Sequence, residues 1–142
     1  MLVENIMSDG IISVNVNENI VDIAKLMLQE NIGIVGVISD DKFIGVMTDR
    51  DIVTKVLPNK SLSIKDYVSR ELVTIEKDAS IDEALEKMGK TRVKRLVVTE
   101  SGNPVGILSI SDILRSGFDP KMLKALCMIY DTKKGAVGKL SN

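Results

Sequence analysis

Gly45-Val46-Met47-Thr48-Asp49-Arg50-Asp51-Ile52-Val53 returns 61 residues later as Gly106-Ile107-Leu108-Ser109-Ile110-Ser111-Asp112-Ile113-Leu114. Each stretch runs glycine, two apolar residues, Thr or Ser, two variable residues, then Asp and an apolar pair. The same offset holds outward without a gap, from Val3 against Ile64 to Val53 against Leu114, a span of 51 pairs. Seven of those pairs are identical: Ser8/Ser69, Ile20/Ile81, Met27/Met88, Val37/Val98, Gly45/Gly106, Asp51/Asp112 and Ile52/Ile113. The apolar pattern carries more weight than identity. Both members are apolar in 18 pairs, against about 10 expected from the two compositions alone. The chain is therefore a tandem repeat, and its architecture follows from one copy.

Within each copy the hydrophobic period changes in a fixed order. Ile12–Val14 and Val73–Ile75 alternate as short strands. Asn19 and Ser80 then stand at N-cap positions before Ile20, Ile23, Ala24, Met27 and Ile81, Ala84, Leu85, Met88, which recur at helical spacing. Ile34–Ile38 with Phe43–Met47, and Leu96–Thr99 with Val105–Leu108, read as hairpins turning at Asp40-Asp41 and at Ser101-Gly102-Asn103-Pro104. A second helix starts near Asp49 and near Ile110. One such β-α-β-β-α unit has too little core to stand alone, whereas two can bury their sheets against each other. Pro58-Asn59-Lys60-Ser61 separates the copies and Phe118-Asp119-Pro120 ends the second. This gives repeat 1 over residues 1–60, repeat 2 over 61–118 and an extension over 119–142.

The two motif endings, each behind the same order of strands and helix, resemble cystathionine β-synthase (CBS) domains, and the tandem resembles a CBS pair, or Bateman module. The resemblance spans residues 3–117. The Pro that often interrupts the second strand of such domains is missing, with Val35–Val37 and Leu96–Val98 in its place. The resemblance implies an α/β (α+β) fold of two repeats packed sheet to sheet with pseudo-twofold symmetry. It also implies a regulatory module, not an enzyme, that binds AMP, ADP, ATP or a related adenosyl compound in clefts between repeats and relays occupancy to a protein partner. The alternative is a structural or interaction module whose clefts are vestigial.

The motif chemistry fits that ligand. A Thr48 or Ser109 hydroxyl at a helix N-terminus suits phosphate, and the Asp51 or Asp112 carboxylate, one turn on, can accept from ribose hydroxyls. The same residues also suit plain helix capping. By resemblance, each base slot comes from one repeat and the Ser/Thr–Asp motif from the other. Asp112, with Ser109 and Ser111, would face Met7, Ile12, Ile32 and Gly33, while Lys94 and Arg95 supply positive charge. Asp51, with Thr48 and Arg50, would face Val68, Val73 and Val93. The offset equivalents of Lys94 and Arg95 are Gly33 and Ile34, so the Asp112 cleft is expected to bind nucleotide more tightly.

Composition narrows the remaining classes. With 19 Lys+Arg against 20 Asp+Glu over 142 residues, no global field favours nucleic acid or an anionic membrane. The chain has no His and one Cys, which removes His-based catalysis, Cys/His zinc sites and an internal disulfide. Four aromatics, Phe43, Tyr67, Phe118 and Tyr130, supply few stacking platforms. Arg92, Lys94 and Arg95 form a small basic cluster, too few for a nucleic-acid surface. Gly33 and Gly36 lack the rest of a dinucleotide loop. No basic flank with a long apolar run is present, so a cytoplasmic protein is expected.

The resemblance also implies a homodimer, for which Ile52, Val53, Val56, Ile113 and Leu114 on the second helices offer apolar contacts that equally suit internal core. Met122, Leu123, Leu126, Ile129 and Tyr130 predict a further helix over residues 120–131 that packs on the module or its dimer interface, with Cys127 an inert buried thiol and a mobile basic end beyond.

Overall fold

The computed structural model describes residues 1–117 and 119–130. Phe118 and the basic end predicted beyond the last helix lie outside the described residues. In chain order the elements are β1 (Ser8–Asp9), β2 (Ser13–Asn15), α1 (Ile20–Glu30), β3 (Ile34–Ser39), β4 (Lys42–Thr48), α2 (Asp49–Asp51), β5 (Thr74–Glu76), α3 (Ile81–Thr91), β6 (Arg95–Glu100), β7 (Asn103–Ser109), α4 (Ile110–Ser116) and α5 (Pro120–Ile129). The first strand of each repeat begins one residue later than the alternation predicts, which leaves Ile12 ahead of β2 and 42% exposed.

Two compact units form. One is Gly10–Leu72, and the other joins Met1–Asp9 to the described residues from Val73 onward. The sequence repeat would divide the chain at 60/61; the units instead exchange the segments that lead into each repeat.

In the Gly10–Leu72 unit the sheet order is β2-β3-β4, with β2 parallel to β3 and β4 antiparallel to it. In the other unit β5 runs parallel to β6 and β7 antiparallel, and β1 adds on the far side of β7. The hairpins turn through Asp40-Asp41 and Ser101-Gly102, both residues of each pair at positive φ. That is the geometry of the two-residue turn whose twist matches the strands, so Asn103 and Pro104 belong to β7 rather than to the turn. Both hairpins carry an irregularity at the same offset, after Val37 and after Val98.

Local chemistry fixes the long helices. The Asn19 side chain accepts the Val21 N–H at 2.7 Å and the Ser80 hydroxyl accepts the Glu83 N–H at 3.1 Å. Asn31 and Arg92, equivalent by offset, close α1 and α3 in the left-handed conformation. Inward residues Ile20, Ile23 and Met27 join Val35, Val37, Met47, Ile52, Val56 and Ile64 in one core, and Ala84, Leu85 and Met88 join Val3, Leu96, Val98, Leu108 and Ile113 in the other.

The exchange shows most clearly at Val3 and Ile64. They are equivalent by offset and both fully buried, but Val3 lies in the core around repeat 2 and Ile64 in the core around repeat 1. Each such burial stabilises by roughly 1.5–3 kcal/mol. Backbone pairing repeats the pattern: Ser8 lies opposite Ile107, and Ser69 exchanges both hydrogen bonds with Val46 at 2.9 and 3.0 Å. A Cβ on Gly45 would stand 2.2 Å from the Ser69 carbonyl oxygen, and one on Gly106 2.4 Å from that of Ser8. The glycine shared by the two copies therefore has a packing reason, the backbone carbonyl that it faces.

In the extension, α5 begins where the Asp119 carboxylate accepts the Met122 N–H at 3.0 Å. It buries Met122, Ala125 and Ile129 against the core that holds α3. Cys127 is exposed, not buried as its apolar neighbours suggest, because it lies on the outer side of this helix. The apolar residues of the second helices divide between the two roles open to them. Ile52, Val56 and Ile113 are core residues of their own units, and only Val53 and Leu114 remain exposed.

Candidate functional site

Each motif is built where the last strand of a hairpin turns directly into a helix. Thr48 and Ser109 keep extended backbone while the next residue is already helical. The Thr48 hydroxyl accepts the Asp51 N–H at 3.1 Å, and an Asp51 carboxylate oxygen accepts the Thr48 N–H at 3.1 Å. Ser109 and Asp112 repeat the exchange at 3.1 and 2.8 Å. These are reciprocal capping boxes. The next donor inward, the N–H of Asp49 or Ile110, is taken by the carbonyl of Gly33 at 3.0 Å or Lys94 at 2.8 Å. Capping thus uses the groups that a bound anion or ribose would address.

The second carboxylate oxygen of each Asp is also engaged. Lys55 pairs with Asp51 at 3.2 Å, and Arg115 pairs with Asp112. These two cations were not singled out from sequence, although a base three or four residues after an acid on a helix is a readable signal. The spacing differs because the cation stands at different places in the two copies, Thr54 being the offset equivalent of Arg115 and Ser116 that of Lys55; Ile52–Val56 also winds wider than an α-helix, with Leu57 N–H reaching back to Ile52 O. Both carboxylates are well covered, Asp112 being 9% exposed.

The surroundings of the motifs differ in charge. Across the hairpin, Arg95 lies in register with Ser109, whereas Ile34 lies in register with Thr48. Cross-strand partners share a sheet face, so the guanidinium belongs on the side of the Ser109 hydroxyl. Ser111 adds a second hydroxyl, 2.8 Å from that of Ser109. The first motif carries an extra acid, Asp49, whose carboxylate takes the Arg50 N–H at 2.8 Å. Lys94 is directed elsewhere: its ammonium stands 5.4 Å from the centre of the Tyr130 ring, a cation–π distance.

The predicted slot residues divide between the units. Met7, Val73 and Val93 are half-buried in the unit that carries Asp112, and a Cβ on Gly106 would lie 3.2 Å from the Met7 sulfur. Ile32 and Val68 are half-buried in the unit that carries Asp51, with Val68 beside Gly45. Ile12 and Gly33 belong to that unit as well, their carbonyls accepting from Gly36 and Asp49. Among the described residues no group of His, Cys, Asp and Glu is arranged to hold a metal ion. None of the described helices is long and apolar enough to cross a membrane.

Paired β-α-β-β-α repeats, each closing on a strand-to-helix Ser/Thr–x–x–Asp cap, define a tandem two-domain architecture. The family profile of the CBS domain matches residues 3–58 and 64–119, and the chain belongs to that family, carrying two copies. The chain is similar to uncharacterized protein MJ0450 of Methanocaldococcus jannaschii, 35% identical over 104 residues that cover 68% of this chain and 56% of that one. It is 34% identical over 99 residues to inosine-5'-monophosphate dehydrogenase of Thermoplasma acidophilum, of which it spans 20% while 68% of this chain is covered. Among solved structures, the CBS domain pair of protein MJ0100 in complex with 5'-methylthioadenosine and S-adenosyl-L-methionine superposes with a TM-score of 0.73. The two are 28% identical, with 82% of this chain and 94% of that one covered.

Proposed function

We propose that this CBS pair is a regulatory module that binds an adenosine compound, AMP, ADP, ATP or an adenosyl relative, at its Ser/Thr–Asp motifs, works as a homodimer and relays occupancy to a protein partner. The observation that carries this reading is the equivalence of the two motifs: strand end, hydroxyl and carboxylate recur in the same hydrogen-bonded geometry. A related CBS pair solved with two adenosyl compounds supports the ligand class. Arg95, Ser109 and Ser111 make the second motif the better anion site, because charge-assisted hydrogen bonds dominate phosphate recognition. On this reading the exposed Arg115 swings from Asp112 when ribose hydroxyls arrive.

A second reading has its own support. Both carboxylates already have partners for each oxygen, as expected of a purely structural cap in a vestigial site. Thermal unfolding with AMP, ADP, ATP, S-adenosylmethionine and methylthioadenosine separates the two. A ligand specific for the folded state at a hundred times its Kd stabilises by about 2.7 kcal/mol. A raised midpoint with one of the five, abolished by Asp112→Asn, supports sensing. No shift with any of them supports the structural reading.

A further inference from the structure

The two repeats leave the outer edges of their sheets in different states. In each unit the short first strand of the repeat, β2 or β5, is an edge strand that pairs on one side only. The Ile12 carbonyl accepts from Gly36 and the Val16 N–H donates to the Ile38 carbonyl, both at 2.8 Å. The even-numbered residues therefore bond to β3, and Ser13 and Asn15 turn their backbone groups to the open side. In repeat 2 that side is closed, because the Lys87 ammonium, from α3, donates to the Thr74 carbonyl. A lysine placed at a sheet edge blocks the addition of a further strand. By offset Thr74 corresponds to Ser13 and Lys87 to Leu26, a side chain with no donor. β2 instead borders a groove of about 350 Å³ against α1, with half-buried Leu26 in its wall and exposed Glu18, Asp22 and Lys25 along its rim.

We propose that the β2 edge of repeat 1 is a docking site for an extended, basic segment of a partner protein, which joins the sheet as a further strand beside β2. The Ser13 N–H and carbonyl and the Asn15 N–H supply the backbone bonds of such strand addition. Pairing ends there, since the Asn15 carbonyl already accepts the Glu18 N–H at 2.9 Å. The rim sets the charge of the occupant. Glu18 adjoins the end of the strand through that bond, and Asp22 stands in the first turn of α1, where repeat 2 has Ala79 and Glu83. Lys25 lies a turn further along α1, so negative charge gathers at the Asn15 end of the groove and attracts a lysine or arginine on the added strand. The inference gives the proposed relay to a partner protein its contact surface. Peptide and nucleotide are titrated separately, so either reading can fail alone.

Fluorescence anisotropy of a labelled hexapeptide of alternating valine and lysine, titrated with the full chain, tests the proposal. Wild type is expected to bind it more tightly, by about tenfold or more, than the fully N-methylated peptide, which keeps the charge and lacks the amide donors. Leu26→Lys, which rebuilds the cap that Lys87 forms in repeat 2, is expected to weaken binding by a similar factor. Glu18→Gln with Asp22→Asn, at exposed positions that leave the core untouched, is expected to weaken binding and flatten its dependence on salt. Amide exchange at Ser13 and Asn15, followed by NMR, is expected to slow when the peptide is bound. Absence of binding, equal affinity for the methylated peptide, unchanged exchange at these two amides, or full binding by a folded Leu26→Lys overturns the proposal. So does a wild-type dimer that the peptide dissociates, since the occupant is then a strand of a second copy.

Discussion

The unit holding repeat 1 and the unit holding repeat 2 share strand register, turn conformation and motif geometry, and three of their differences bear on function. Repeat 2 has Arg95 across from its capping hydroxyl where repeat 1 has Ile34. Its motif carries one acid where repeat 1 carries two, Asp49 and Asp51. Its first helix is covered by α5, while the equivalent face of α1 is bare. The shared features are those a backbone imposes on any sequence with the right pattern. These three differences lie on the rim of the motif and on the outer helix faces, where a duplicated unit can diverge without losing its core.

The strongest test of the equivalence is to overfill the glycines. Gly45→Val and Gly106→Val each drive a side chain into a carbonyl of the exchanged segment, and each is expected to cost about 3 kcal/mol in urea unfolding. A tolerated Gly106→Val would mean that β1 does not pair with β7 as described. Next comes the helix cover. Met122, 2% exposed, should cost about 2–4 kcal/mol when cut to Ala. Leu28→Ala on the uncovered face of repeat 1 should stay within about 0.5 kcal/mol in the monomer. Similar costs for the two would break the contrast between α3 and α1.

The motifs can be compared through ligand binding. Asn keeps an acceptor for the capping N–H but removes the charge, so Asp112→Asn is expected to weaken the tighter nucleotide event in titration calorimetry by about tenfold or more. Asp51→Asn should leave that event intact. Should Asp51→Asn abolish it instead, the charge around Ser109 does not set the order of affinity.

The smallest effect concerns the ion pair between α3 and α5. Its hydrogen bond to Asp82 raises the Lys121 pKa above 10.5. A raised lysine contributes stability that is complete below its unfolded value and is lost as pH climbs through the folded one. Wild type should therefore melt slightly above Asp82→Asn at neutral pH, and the two midpoints should converge above pH 10.5. A gap that persists in strong alkali would assign the effect to packing.

Much of the fold was legible because its signals are local. The caps Asn19, Ser80, Thr48 and Ser109, the alternating strands and the two-residue turns act within a few positions of themselves, and the offset of 61 repeats each one. The motif residues were legible for the same reason. The exchanged segments were not, since a two-residue strand such as Ser8–Asp9 has no period of its own and is defined by its partner at residues 106 and 107. The ion pairs of Lys55 and Arg115 lay within reach of helix spacing, but the wider turn at Ile52–Val56 has no marker in composition.

Sequence by itself determined the duplication, the β-α-β-β-α order, the family and the residues that end each repeat, because hydrophobic period and capping chemistry are short-range. Tertiary structure alone decided which segment completes which core. Val3 and Ile64 are equivalent in pattern and both apolar, so the pattern does not say which core takes which; the choice is made by backbone pairing of Ser8 with Ile107 and of Ser69 with Val46. It also decided that Cys127 faces outward and that Ile52, Val56 and Ile113 face inward. An apolar residue on a helix states only that some face is to be covered, and which face is covered depends on what packs there.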